Sequence, residues 1–287
     1  MNGAKRSNGL NGGSVRQPEG FFSPGTWIWR VHREAGLILA GGRALLMQLA
    51  HPMVAAGVAQ HSHFRDAPLS RLQRTLALMW SIVFDPAEQA RAALEQVRKA
   101  HLRVEGVVPE GEPAFGGRPY RALDPELLLW VHATLVDSAI AGYDLFIRPL
   151  AAAERASYYR STIRLAELFE IPRALVPPSL GAFEDYMARM LFGGPVVVGP
   201  TARELAIEIL APRPLLLRPA GPLFSLITAG LLPAPLREGY GIRWSAGREK
   251  RFRAAVTAVR VFLPLLPAAL RVAPNARRAE RARAVNR

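Results

Sequence analysis

The sequence contains no cysteine in its 287 residues. This absence excludes disulfide bonds, thiolate metal sites, cysteine nucleophiles and haem iron held by a thiolate. Lysine is scarce, being found only at Lys5, Lys99 and Lys250, so the net charge of +14 comes almost entirely from arginine. Histidine, carboxylate and tyrosine are the side chains that remain to bind a metal ion.

Several functional patterns are also missing. There is no glycine-rich phosphate loop, nucleophile elbow or dinucleotide-binding fingerprint, so we expect no nucleotide cofactor. No recognition motif accompanies the positive charge, and we expect no nucleic-acid partner. The absence of a secretory signal and of an unbroken apolar run of about 20 residues predicts a cytoplasmic protein without a transmembrane helix.

Hydrophobic residues make up 50% of the chain and recur at helical spacing, without a convincing period-two strand. This pattern predicts an all-α fold of about nine or ten helices. We expect a disordered segment at 1–20, one large helical domain at 21–270 and a basic tail at 271–287. That tail is either a solvated, frayed terminus or a peripheral contact with an anionic membrane surface.

Proline and capping residues mark several helix boundaries. Pro68 opens a helix that ends near Asp85-Pro86, and Asp124-Pro125-Glu126 begins another. Ser245 precedes the last clear helix, and the segment from Thr201 to Glu204 matches a capping box. Residues 105–121 are expected to form a glycine- and proline-rich loop, long enough to cover a site.

The candidate site lies between residues 43 and 104. Arg71, Arg74 and Thr75 share one face of a helix, because residues three and four apart are neighbours. His101 lies on the apolar side of the next helix, where an imidazole can bind a metal or a haem iron. The alternatives are a buried histidine bonded to a carbonyl group, and arginines that form structural salt bridges.

The other histidines are weaker candidates. His61 and His63 are either half of a metal site or residues of a polar turn. His51 precedes a proline, which favours a helix-end role, and packing best explains His132.

A series of short blocks resembles a known family. The blocks are Leu45-Leu-Met-Gln-Leu-Ala-His51-Pro52, Gly57-Val-x-x-His61-Ser62, Arg71-x-x-Arg74-Thr75, His101-x-x-Val104-x-Gly106, Tyr120-x-Ala122-x-Asp124-Pro125, Trp130-Val-His132-Ala-Thr134-Leu135 and Ile171-Pro172. In this order and spacing they resemble the MpaB-type oxygenases, which share a catalytic domain with the rubber oxygenases, or latex-clearing proteins. The resemblance covers roughly residues 25–265.

The resemblance implies a globin-like, all-α core that holds haem b. His101 corresponds to the proximal ligand of the haem iron. Arg71 and Thr75 correspond to residues that bind the haem, and Arg71, Arg74 and Thr75 to catalytic residues on its distal side. The implied activity is a haem-dependent oxygenase, an oxidoreductase that acts on a hydrophobic, isoprenoid or lipid-like substrate. The sequence does not identify an electron donor.

Two departures from the rubber oxygenases bear on the reaction. Their signature is Arg-x-x-Lys-Thr, whereas Arg74 replaces the lysine here; arginine is a poor iron ligand because it stays protonated. They also place a glutamate base on the preceding helix, but no acid lies between Glu34 and Asp66. Cleavage of polyisoprene by that mechanism is therefore not expected. The alternative function is a non-catalytic helical protein that binds lipid or a membrane surface.

Overall fold

A computed structural model describes residues 20–62, 68–210 and 221–285. These ranges contain 14 α-helices and one sheet, a pair of short antiparallel strands. The predicted all-α class is confirmed, whereas the globin-like, haem-holding core remains a prediction. Residues 1–19 of the segment expected to be disordered lie outside the described ranges.

The first five helices and both strands build the part of the fold that carries the predicted site. Their bounds are α1 (Trp27–His32), α2 (Gly41–Leu49), α3 (Pro52–His61), α4 (Pro68–Phe84), α5 (Ala87–His101), β1 (Glu105–Val107) and β2 (Pro119–Arg121). A 3₁₀ helix, Ala35–Ala40, joins α1 to α2.

The other helices complete the core and surround it. Their bounds are α6 (Pro125–Phe146), α7 (Ala152–Leu168), α8 (Leu180–Phe192), α9 (Pro200–Leu210), α10 (Gly221–Leu231), α11 (Ala234–Gly239), α12 (Ala246–Phe262), α13 (Ala268–Arg271) and α14 (Pro274–Val285). The long helix α6 is buried over much of its length and packs against α2, α7 and the first 3₁₀ helix.

The chain bends by 106° between the segments Ala35–Leu49 and Pro52–His61. Pro52 causes this break, because proline lacks the N–H group that would continue the preceding helix. Among the described residues, no single helix is long and apolar enough to span a membrane. Taken together, the two bent segments have the length and the apolar composition of a membrane span, and only these two properties favour that reading. Leu46 and Ala55, which lie on either side of the bend, are fully buried in the protein.

The loop predicted at 105–121 contains a small sheet that the sequence did not reveal. Glu105, Gly106 and Val107 of β1 pair with Arg121, Tyr120 and Pro119 of β2. Three-residue strands are too short to produce a recognisable alternation of polar and apolar residues. The predicted loop therefore begins and ends as a β-ribbon.

The predicted capping box at Thr201 is wrong, because α9 begins one residue earlier, at Pro200. The backbone N–H of Thr201 donates instead to Oε1 of Glu112, at 2.8 Å. Gly199 makes this close approach possible, since a Cβ atom there would lie 1.7 Å from Oε2 of Glu112. The Glu112 carboxylate thus accepts a hydrogen bond from a free backbone N–H group in the first turn of α9, where negative charge is favourable.

The described part of the basic tail is largely helical and docked. Ala276 of α14 is fully buried, and Asn275 donates to Asp85 across 2.8 Å. Arg33 beside α1 pairs with Glu280 at 3.0 Å. These contacts hold α14 against α1 and α4, so residues 274–285 are not a frayed terminus.

His132 is buried in the helical core, and His32 is half-buried against it. Burial lowers the pKa of His32 and that of His132 to about 4. The ring of His32 hydrogen-bonds the hydroxyl of Tyr158 at 3.1 Å, and His132 bonds the backbone of Thr162. Both rings are therefore neutral in the folded protein near pH 7.

We expect the free energy of unfolding to decrease as the pH falls from about 6.5 towards 4. In that window the unfolded chain binds protons that the buried rings exclude, so stability is complete above the unfolded pKa and is lost below it. The loss should be about 1 kcal/mol per buried ring at pH 5.5. Urea titrations at pH 7.5 and 5.5 measure it, and His132→Gln should reduce the pH dependence. An unchanged midpoint between the two pH values would contradict the burial of these rings.

Candidate active site

Helices α4 and α5 form an antiparallel hairpin around the turn at Asp85-Pro86. From this turn, α5 runs about 15 residues to His101, and α4 runs back about 14 residues to Arg71. At 1.5 Å per residue, both positions lie roughly 20 Å from the turn. The hairpin therefore brings the backbone of the arginine signature and the candidate ligand to the same end of the fold.

His101 is the last residue of α5 and is half-buried. Its Nδ1 lies 2.8 Å from the carbonyl oxygen of Val97, one turn earlier in the helix. A carbonyl oxygen can only accept a hydrogen bond, so Nδ1 carries a proton, and in the neutral ring the lone pair is on Nε2. Metal-binding histidines commonly show this arrangement, in which the backbone fixes the tautomer and orients the ring.

Residues 104–106, which follow His101, contact α3 and β2. We call this set of contacts, among residues 60–61, 104–106 and 120–122, the motif junction. The carbonyl of Val104 accepts from the N–H of Ala122 at 2.8 Å, and His61 hydrogen-bonds the carbonyl of Glu105 at 2.9 Å. The hydroxyl of Tyr120 donates to Gln60 across 2.8 Å. Three of the sequence blocks thus meet here and hold the end of α5 in place.

Gly106 leaves room for this junction. A Cβ atom at this position would lie 2.6 Å from Oε1 of Gln60 and 2.9 Å from the hydroxyl of Tyr120. A side chain at this position, five residues after His101, would therefore have to displace the ends of the Gln60 and Tyr120 side chains.

Gly106→Ala should destabilise the protein by about 1–3 kcal/mol, because the added methyl group must displace that hydrogen bond. Gly111→Ala is the matched control, since a Cβ atom at Gly111 would meet nothing within 4 Å. Urea denaturation of both variants measures the difference. Equal stabilities of the two variants would show that the junction is not tightly packed.

The backbone of the arginine signature lies on α4, as predicted. Arg74 and Thr75 are exposed, and the side chain of Arg71 lies outside the described part of the structure. In the described structure, these two polar side chains therefore line an open surface of α4, near the end at which His101 completes α5.

The other histidines have separate environments. His61 ends α3, and His63 lies outside the described residues. His51 is the residue immediately before α3, the helix-end position that its place before Pro52 predicted, and its side chain makes no capping hydrogen bond. Its ring packs at a tilt against Phe115, with 5.1 Å between centroids. Burial lowers the pKa of His51 to about 4, and its buried Nδ1 has no hydrogen-bond partner among the described residues.

Glu112 is a buried polar residue that the sequence analysis missed. It is 6% exposed, and its Oε2 lacks a partner within the described ranges. Nothing in its local sequence, Gly111-Glu-Pro113, distinguishes it from an ordinary loop carboxylate, because its partner Thr201 is remote in the chain.

Across residues 20–62, 68–210 and 221–285, no three side chains of histidine, aspartate or glutamate gather in a way that could hold a metal ion. Ligation of a haem iron has a different requirement, since a single proximal histidine suffices on the protein side. The donor available at His101 fits that chemistry.

Comparison with known families matches residues 29–261 to the catalytic domain described as ER-bound oxygenase mpaB/B′/rubber oxygenase. The chain belongs to this oxygenase family. The matched range contains the whole α4–α5 hairpin, the motif junction and every predicted site residue. Helix α14 lies beyond it.

Two curated relatives of this oxygenase-family chain are mycobacterial. They are the uncharacterized proteins Mb2261 of Mycobacterium bovis and Rv2237 of Mycobacterium tuberculosis. Each is 28% identical to this chain over 230 residues, which cover 78% of this chain and 87% of the relative. No solved structure matches at a significant level.

Proposed function

We propose that this member of the family is a haem-dependent oxygenase that acts on a hydrophobic substrate of isoprenoid or lipid-like type. The observation that carries the proposal is the hydrogen bond between Nδ1 of His101 and the carbonyl of Val97. It presents the lone pair of Nε2 at the end of α5, within a family of oxygenases.

In this proposal His101 is the proximal ligand of haem b, and the Val97 carbonyl keeps its ring in the required tautomer and orientation. When bound, haem supplies the activation of dioxygen, which no protein side chain can provide. The motif junction keeps the end of α5 rigid, so that Nε2 stays fixed relative to the helices around it.

Arg71, Arg74 and Thr75 supply the polar groups on α4. Guanidinium groups keep their charge when partly buried and pair well with carboxylates, which suits the propionates of haem. Thr75 contributes a hydroxyl that can donate a hydrogen bond to an oxygen-derived ligand. Arg74 does not bind the iron itself, because it has no lone pair to offer while protonated.

The apolar composition and the missing acid support the proposed substrate class. The segment between Glu34 and Asp66 has no carboxylate to serve as the base that rubber cleavage requires. A smaller unsaturated lipid, with its double bond held among aliphatic side chains, suits these residues better than polyisoprene does.

The experiment is a spectrum and an oxygen-uptake assay on protein purified from haem-supplemented cells. We expect a Soret band and oxygen consumption with squalene, but not with squalane, which has the same skeleton without double bonds. A Soret band without uptake would restrict the proposal to haem binding and reject this substrate class. Absence of the Soret band would reject haem dependence.

A further inference from the structure

We infer that residues 261–270 form a docking surface for an anionic membrane, independent of the oxygenase site. This segment, which we call the apolar ridge, runs from the last residues of α12 into α13 and contains no charged residue. Leu265 is 74% exposed, and Phe262 and Leu270 are each 64% exposed. Val261 and Leu266 are exposed beside them.

Contiguous exposed apolar side chains are informative, whereas scattered ones are ordinary. The ridge places five large hydrophobic side chains within ten consecutive residues. Ile38 of the first 3₁₀ helix, which packs against α13, is also exposed. The apolar surface therefore extends beyond the ridge onto a second element of the fold.

The ridge is held in shape rather than loosely attached. The guanidinium of Arg271 donates to the carbonyl of Pro264 at 3.1 Å, which closes the segment on itself. Leu263 points inward against Gly36, where a Cβ atom would lie 2.7 Å from its side chain. The N–H of Ala273 then donates to the carbonyl of Arg33 at 2.8 Å and anchors the end of the ridge.

The charges around the ridge select the partner. Between Lys250 and Ala279 the chain has no acid, and it carries these seven basic residues: Lys250, Arg251, Arg253, Arg260, Arg271, Arg277 and Arg278. The side chains of Arg251, Arg260 and Arg278 are exposed. Apolar side chains flanked by basic ones bind bilayers that contain anionic lipid, since the former enter the acyl boundary while the latter attract the headgroups.

The same charges disfavour a second copy of the chain as the occupant. A two-fold interface brings the same patch of both copies together, and here it would place arginine against arginine. Anionic headgroups complement the charge instead. Helix α14 is docked against the fold, and its apolar residue Ala276 is buried, whereas the apolar side chains of the ridge are exposed. We therefore assign membrane contact to the ridge and not to the tail.

The test is flotation of the full chain with vesicles of phosphatidylcholine, with and without 30% phosphatidylglycerol. We expect binding to the anionic vesicles to exceed binding to the neutral ones by about tenfold. Leu265→Glu and Phe262→Glu should each lower binding to anionic vesicles by about tenfold, because a charge replaces the inserted side chain.

Phe192→Glu is the matched control, since Phe192 at the end of α8 is 73% exposed but belongs to a different element. It should bind vesicles like the parent, and thermal unfolding should show all three variants folded. The double variant Arg251→Ala with Arg260→Ala should bind anionic vesicles less than the parent does and neutral vesicles equally.

Three results would overturn the inference. The first is equal flotation of the parent with anionic vesicles and without vesicles. The second is an equal loss of binding in Phe192→Glu. The third is a parent dimer in sedimentation that Leu265→Glu dissociates while neither protein binds vesicles, which would make the ridge an interface between copies. The haem content of these variants tests the oxygenase proposal and does not affect the conclusion on membrane binding.

Discussion

His101→Ala should lower the affinity for haem by more than about a hundredfold. Removing only the partner of a metal-binding histidine commonly costs 10- to 100-fold in metal affinity, so removing the ligand itself should cost more. The quenching of tryptophan fluorescence by added haem measures the affinity directly. Oxygen uptake with an unsaturated lipid should disappear together with the bound haem.

Lys99→Ala is the control for this prediction, because Lys99 lies in the same last turn of α5 but is exposed, and it pairs with Glu95 on the helix surface. Its haem affinity should equal that of the parent. Equal affinities for the His101→Ala variant and the parent would remove His101 from the site.

Arg43→Ala should destabilise the protein by about 2–3 kcal/mol, which is less than the cost of breaking a fully buried ion pair, because the side chain of Asp137 is 29% exposed and water can solvate it. The guanidinium is buried in α2 and joins three elements of the core. It donates to Asp137 at 2.6 Å, to Ser138 at 2.8 Å and to the carbonyl of Leu231 at 2.9 Å. Alanine leaves these acceptors without their donor and opens a cavity between α2, α6 and α10.

Urea denaturation at pH 7.5 measures this loss, with Arg98→Ala as the matched control. Arg98 pairs with Glu95 on the surface of α5, where such a pair contributes at most about 1 kcal/mol. A loss below that value in Arg43→Ala would show that the buried network contributes little to stability.

The helix boundaries that local chemistry determines could be predicted from the sequence. The side chain of Asp124 accepts from the N–H of Glu126 at 2.9 Å and begins α6, and Ser245 accepts from Arg248 at the start of α12. Pro52 separates α2 from α3, as the His51-Pro52 pair suggested. Each of these boundaries depends on residues within four positions of one another, which a single segment of sequence displays.

Contacts between distant segments could not be predicted in this way. The start of α9 depends on Glu112, which is 89 residues from Thr201. The docking of α14 depends on Asp85, at the turn of the α4–α5 hairpin, which Asn275 reaches across 190 residues. The burial of Arg43 likewise depends on two elements far along the chain, so its local sequence offered no sign of it.

In the candidate site, too, the sequence predicted some features and the structure supplied others. The order of the sequence blocks identified the family and selected His101, and the structure adds the tautomer through the Val97 carbonyl. The roles of Arg71, Arg74 and Thr75 remain predictions. These roles depend on contacts with bound haem, whereas the fold determines only the positions of the three residues on α4.

The measurement that tests the central claim most directly is the absorption spectrum of His101→Gly with haem, before and after addition of imidazole. If Nε2 of His101 is the iron ligand, the variant should lack the parent's Soret band, and free imidazole should restore it by occupying the vacated position. A parent-like spectrum without imidazole would contradict the claim, as would a parent protein that shows no Soret band.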